Sequence, residues 1–342
     1  MTQKQIEDAI KSILESIEKD REREIVARRY GLFDRRETLE QIGEMLGITR
    51  ERVRQLEKVI VARLKENAKR GNLKPVGTYN KQLLDALTEL GNVARVSTLV
   101  KYLTGERGTK IDEARIAFIA DLSPDISLIS DTDHHYQSVA ITKVHDEKKV
   151  QKSVLKIVEA VKSLGEPQPI SKITEVTGNK DDKHVEALSS TSKNLATLGG
   201  MWGLVKWPTV NPKNIRDKIY VILQQNGKHM HFNEIAEAIK QSDFKRKDVT
   251  TQAIHNELIK DKRFVLVGRG IYALREWGYK NGTVADIITD VLKKANKPLH
   301  RDEIVKEVLK SRYVKETTIL LNLQGKDQFK RVAKATYELQ EA

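Results

Sequence analysis

Four stretches of this chain share one grammar: an apolar-periodic helix, a Gly or Asn stop, a short extended step and a second amphipathic helix. They read LLDALTELGNVARVSTLVKYL, VLKIVEAVKSLGEPQPISKITEV, IYVILQQNGKHMHFNEIAEAI and ITDVLKKANKPLHRDEIVKEV. The stops are Gly91, Gly165, Gly227 and Asn296, spaced by 74, 62 and 69 residues. Eight positions after each stop stands an aliphatic residue: Leu99, Ile173, Ile235 and Ile304. Self-similarity at such a period restricts the chain to an array of small units.

Each unit closes on a β-like run with aromatic residues: HHYQSVAIT, GMWGLVKW, GRGIYALREW and KATYELQE. Three helices and a terminal hairpin is the order of a winged helix. A helical solenoid is the alternative, and the strand-like closings argue against it. The expected fold is mainly α with small β wings, an N-terminal helix-turn-helix followed by tandem winged-helix-like modules. The expected domains are 1–70, 79–143, 149–207, 213–279 and 282–340. Breaker-rich joints at 68–80, 144–150, 207–213 and 277–283 separate them.

Composition limits the function. Lys and Arg number 61 against 48 Asp and Glu, a net charge of +13. That balance favours a polyanionic partner, nucleic acid first. The absence of cysteine excludes a disulfide scaffold, a thiolate zinc finger and a Cys nucleophile. MTQKQIEDAI has no apolar signal core, and no stretch approaches the ~20 apolar residues of a membrane span. A cytoplasmic protein without a membrane partner is expected.

The first 70 residues follow another pattern. Ile6, Ile10, Ile13 and Ile17 mark one helix face. A second helix follows Asp20 through REREIVARRYGL, ending near Gly31. Thr38-Leu39-Glu40-Gln41 has the form of a capping box and starts a short helix. Leu46-Gly47-Ile48 makes a corner, and Thr49 is a natural N-cap for the next helix. Short helix, tight turn and longer helix make a helix-turn-helix.

On the longer helix Val53, Leu56, Ile60 and Leu64 are spaced to face inward. Arg50, Glu51, Arg54, Gln55 and Lys58 are left on the outer face, near the end that reaches base edges in a major groove. Arg can bond guanine O6 and N7 together, Gln can pair with adenine and Glu can accept from cytosine. Residues 50–74 carry nine Lys or Arg against three Glu, whereas residues 21–49 balance at six each. Charged helical faces are usually plain solvent faces. Here the capped turn and one-sided charge favour DNA.

These residues also carry a family resemblance. REREIVARRYGL and TLEQIGEMLGITRERVRQLEKVIVARL resemble the carboxy-terminal promoter-binding domain (region 4) of bacterial primary sigma factors, over roughly residues 5–70. The resemblance implies base contacts for Arg50, Glu51 and Gln55. It implies phosphate contacts for Thr49, Arg52 and Arg54, and an approach to the backbone by Leu39 and Glu40, which begin the supporting helix. Val59 stands where the family usually has lysine, which leaves Lys58 beside it as the phosphate-contact candidate. The aromatic-rich promoter-melting domain of a complete sigma factor has no counterpart before residue 1 or after residue 80. The chain is therefore not expected to initiate transcription as a sole sigma factor.

MHFNEIAEAI, TTQAIHNELIKD and RFVLVGRGIYALREWGY, within residues 213–279, are similar to the HARE-type helix-turn-helix domain. That domain occurs in the delta subunit of Gram-positive RNA polymerase, where it binds polymerase rather than DNA. KPLHRDEIVKEVL in 282–340 looks like a diverged copy. Both resemblances imply transcription, with double-stranded, promoter-like DNA and the RNA polymerase core as partners.

His231 and His300 lie at equivalent positions four residues past a stop, without a second ligand at i+3 or i+4. Each is expected to bond backbone at a helix entry rather than hold metal. Pro124-Asp125 with Asp146-Glu147-Lys148 fits a loose nuclease pattern that recurs by accident. Trp202, Trp207, Tyr272 and Trp277 can stack on bases but at strand positions more often close a core. No catalytic residue, metal, cofactor or small-molecule ligand is expected. Two rivals stay open: a polymerase-binding or decoy module that does not read DNA, and a restriction-type nuclease with accessory helix-turn-helix domains.

Overall fold

The structure, a computed structural model, describes residues 1–244, 248–280 and 282–340. Asn281 of the last joint and residues 245–247 of the third repeat lie outside the described residues. Two compact units divide the chain, Met1–Lys206 and Trp207–Ala342.

The first unit opens with four helices: α1 (Gln3–Glu15), α2 (Asp20–Tyr30), α3 (Leu39–Leu46) and α4 (Arg50–Lys69). A capping box from Thr2 to Gln5 starts α1. Ile6, Ile10, Ile13 and Ile17 are buried along one side, as their spacing requires.

The order helix, strand, helix, helix, strand, strand then recurs four times. The first repeat is α5 (Lys74–Glu89), β1 (Val93–Arg95), α6 (Val96–Thr104), α7 (Lys110–Leu122), β2 (Ile126–Ile129) and β3 (Ser138–Ile141). The second is α8 (Glu147–Leu164), β4 (Gln168–Pro169), α9 (Ile170–Thr177), α10 (Asp182–Thr191), β5 (Leu195–Leu198) and β6 (Met201–Leu204). In the second unit, α11 (Ile215–Asn226), β7 (Met230–His231), α12 (Phe232–Gln241), α13 (Thr251–Lys260), β8 (Phe264–Gly268) and β9 (Ile271–Leu274) form the third. The fourth is α14 (Val284–Ala295), β10 (Leu299–His300), α15 (Arg301–Ser311), α16 (Glu316–Gly325), β11 (Phe329–Ala333) and β12 (Thr336–Leu339).

Each repeat makes a three-stranded antiparallel sheet with its last strand in the middle. A solenoid without strands is incompatible with these sheets. The four stops adopt positive φ, 89°, 77°, 70° and 49° in order, which turns the chain out of each first helix. Leu99, Ile173, Ile235 and Ile304 are fully buried.

The stretch 68–80 is not a linker. Gly71 and Pro75 read as breakers, yet α5 begins at Lys74 with Pro75 in its first turn, where a missing N–H costs nothing. Val76 is buried in a core shared by α1, α4, α5 and α7. Residues 1–70 and the first repeat therefore form one packed body, with Phe118 of α7 fully buried and its ring 4.7 Å from that of Tyr30.

The second repeat docks onto the first through α10. His184 Nδ1–H donates to the Gly91 carbonyl at 2.6 Å, and the Arg95 guanidinium bonds the Ser190 carbonyl. A Cβ on Gly91 would sit 2.7 Å from the Lys183 carbonyl oxygen, so only glycine allows this approach. In the second unit, the Arg312 guanidinium and Tyr313 N–H donate to the Leu266 and Val267 carbonyls of β8 at 2.8 and 3.2 Å. His231 and His300 cap α12 and α15, each accepting through Nδ1 from a backbone N–H two residues on at 3.3 Å.

Candidate nucleic-acid interface

Thr38 and Gln41 close a capping box at the start of α3. Gly47, at φ 65°, ends that helix, and the Ile48 N–H bonds the Gly43 carbonyl at 2.9 Å. Thr49 then starts α4 by accepting from the Arg52 N–H at 3.2 Å. Ile25, Ile42 and Val53 form a small core under this corner, joined by Leu39, Leu46, Ile48 and Leu56. Gly43 permits the crossing: a Cβ there would lie 2.7 Å from the Ile48 carbonyl oxygen. Its signal in the sequence was a glycine inside an otherwise regular capped helix.

The side chains of Thr49, Arg50, Glu51, Arg52, Arg54, Gln55 and Lys58 are all exposed at the N-terminal half of α4. Glu40 is exposed on α3, with a carboxylate oxygen 3.8 Å from the Arg50 guanidinium. Leu39 differs: its side chain is half-buried in the small core, so only its backbone N–H, in the unsatisfied first turn of α3, can meet an anion.

The exposed groups are tied to one another. Arg54 grips Glu51 through two bonds of 2.9 and 2.7 Å, and this guanidinium holds the Glu51 carboxyl below the usual carboxylate range. Arg52 donates to Gln55 Oε1 at 3.3 Å. Such exposed pairs are weak and exchange readily for a phosphate or a base edge.

The far half of α4 does other work. Arg63 pairs with Glu22 of α2 at 2.6 Å, Lys65 with Asp121 of α7 at 2.7 Å and Arg70 with Glu66 at 2.9 Å. Arg29 of α2 bonds Glu57 at 3.2 Å, and Arg21 caps α3 by donating to the Leu46 carbonyl at 2.7 Å. The basic excess counted over 50–74 is thus not all aimed at a groove. Two of those cations, Arg63 and Lys65, brace the helix against α2 and α7, and it is their acidic partners, distant in sequence, that a local charge balance leaves out. Val59, where the family usually has lysine, is 63% exposed beside Lys58.

Residues 19–66 match the family described as Sigma-70, region 4. That segment runs from the N-cap of α2 through most of α4. In sigma factors it is a DNA-binding helix-turn-helix. The chain is also 49% identical over 53 residues to the RNA polymerase sigma factor sigB of Arabidopsis thaliana. This covers 15% of the chain and 9% of that protein. The region 4 match begins after α1, a helix whose apolar face is spent on the first repeat. No helix among the described residues is long and apolar enough to cross a membrane.

Proposed function

We propose that this chain is a DNA-binding transcription protein in which α4 enters the major groove of promoter-like double-stranded DNA. In this reading Arg50, Glu51 and Gln55 contact bases, while Thr49, Arg52, Arg54, Lys58, Glu40 and the Leu39 backbone lie along the phosphates. The RNA polymerase core is its protein partner. The four repeats are tandem winged-helix modules, the last two of the HARE type, and the protein works in the cytoplasm without catalysis. One observation carries the reading: the segment that matches region 4 presents its polar N-terminal helix end wholly to solvent on a capped, braced turn.

The test is selection of duplexes from a random pool by the full-length chain, followed by binding curves on selected and scrambled sequences. An enriched motif whose preference disappears in Arg50→Ala supports the reading. A pool that stays random at low salt overturns it.

The mutual pairing of Arg54 with Glu51 favours one second reading, a polymerase-binding module whose outer helix face stays in water. Retention of polymerase from a lysate after nuclease treatment, by a chain that selects no duplex, would be its signature.

A further inference from the structure

On the winged-helix reading proposed above, on which this inference rests, the third helix of a repeat is the one that enters a groove. The four third helices fall into two pairs: α7 and α10 are largely covered, whereas α13 and α16 each bury two residues of ten. In α7, eight of thirteen residues are buried, and in α10, six of ten. Both pack inside the first unit, α7 against α1 and α10 against β1 and the Gly91 turn. In α16 only Ile319 and Leu323 are buried, as part of its own repeat's core. Thr317, Thr318 and Gln324 are exposed, and Leu321 is 68% exposed.

The hairpins differ in the same sense. The β2–β3 connection carries Asp131 and Asp133 and no Lys or Arg, and the β5–β6 turn is Gly199-Gly200. The β11–β12 hairpin carries Lys330, Arg331 and Lys334, all exposed, with no acid between Phe329 and Thr336. Lys330 has only a long 3.9 Å approach to Glu338, and Arg331 donates to the Ala333 carbonyl at 3.2 Å. Charge follows this division: nine of the chain's thirteen net positive charges fall after residue 206.

We propose that the fourth repeat carries a second duplex-DNA surface, made of α16 and the basic β11–β12 hairpin, and that the first two repeats carry none. The hairpin cations contact phosphates without reading sequence, and α16, whose Leu323 shares its repeat's core with Phe329 of β11, offers a small polar and apolar face. DNA is favoured over an acidic protein because the exposed hairpin cations belong to a repeat whose third helix is left uncovered. The surface does not depend on α4.

The experiment uses the full-length chain and a scrambled duplex, with affinity measured across salt concentrations. Replacing three phosphate-contacting cations should lower the slope of log affinity against log salt by about two to three. Lys330→Gln/Arg331→Gln/Lys334→Gln is the test variant, with its folding checked by thermal melting. Lys148→Gln/Lys152→Gln/Lys162→Gln, which removes three exposed cations from the second repeat, is the control and should leave the slope unchanged. Equal drops in both variants would mean bulk charge and overturn the proposal. An unchanged slope in the hairpin variant overturns it too, even where that variant loses a protein partner. The hairpin increment should persist in Arg50→Ala/Arg54→Ala, so failure here is distinguishable from failure of the α4 reading.

Discussion

At the scale of single residues, the pairing on α4 sorts its arginines. Arg50 has only a loose approach to Glu40, so it is available to a base edge. Arg50→Ala should cost about 1–3 kcal/mol on a selected duplex and flatten discrimination at one base pair, read by competition binding. Arg54→Ala should weaken all duplexes alike and lower the salt slope by about one. Glu51→Gln should do the opposite on scrambled DNA: with its two bonds to Glu51 weakened, Arg54 gains freedom for phosphate and the salt slope steepens. Equal effects of Arg50→Ala on selected and scrambled duplexes would show that the helix only anchors. Thr49 as an N-cap and Val53 in the core were legible in the sequence, because a cap or an inward spacing needs only neighbours a turn away. The Arg63–Glu22 and Lys65–Asp121 pairs were not, since their partners lie 41 and 56 residues away.

At the scale of elements, the lesson is α5. Lys74-Pro75 opens a helix, whereas Gly71 and Pro75 in sequence look like a break. What decides between them is burial of Val76, Leu83 and Leu87 against α1 and α7, a long-range fact. Periodicity showed that Ile60 and Leu64 face inward but not that the first repeat receives them. A fragment ending at residue 75 should therefore melt without a cooperative transition, whereas 1–206 should melt cooperatively, as followed by circular dichroism. Phe118→Ala, at the centre of the shared core, should cost about 3–5 kcal/mol in denaturant unfolding of the first unit. Limited proteolysis should spare 74–79 and cut near 207–213, the boundary between the two units.

At the scale of the whole molecule, the two units should differ in their response to acid. His184 Nδ1–H is committed to the Gly91 carbonyl, and its Nε2 shares a hydrogen bond with His145 Nε2 at 2.8 Å. Burial and the neighbouring His184 push the His145 imidazole below its ordinary value, with Lys149 acting in the same sense and Asp146 against it. Burial lowers His135 as well. The unfolded chain therefore binds more protons than the folded one below about pH 6.5, and stability of the first unit is present above that value and falls as pH drops through it. The melting temperature of 1–206 should decline between pH 7.5 and 5.5, and His145→Gln should reduce that slope. An unaltered slope in the variant would remove the histidine pair as the cause.

The brace from Lys65 to Asp121 gives α4 a mechanical character. A helix held at one end by a turn and left loose at the other would bend when its duplex is pulled. On the proposed reading, tension on the DNA would enter at Arg50 and pass through Ile60 and Leu64 into the core that α4 shares with the first repeat. Such a contact should fail by slipping off the phosphates before the helix itself unwinds.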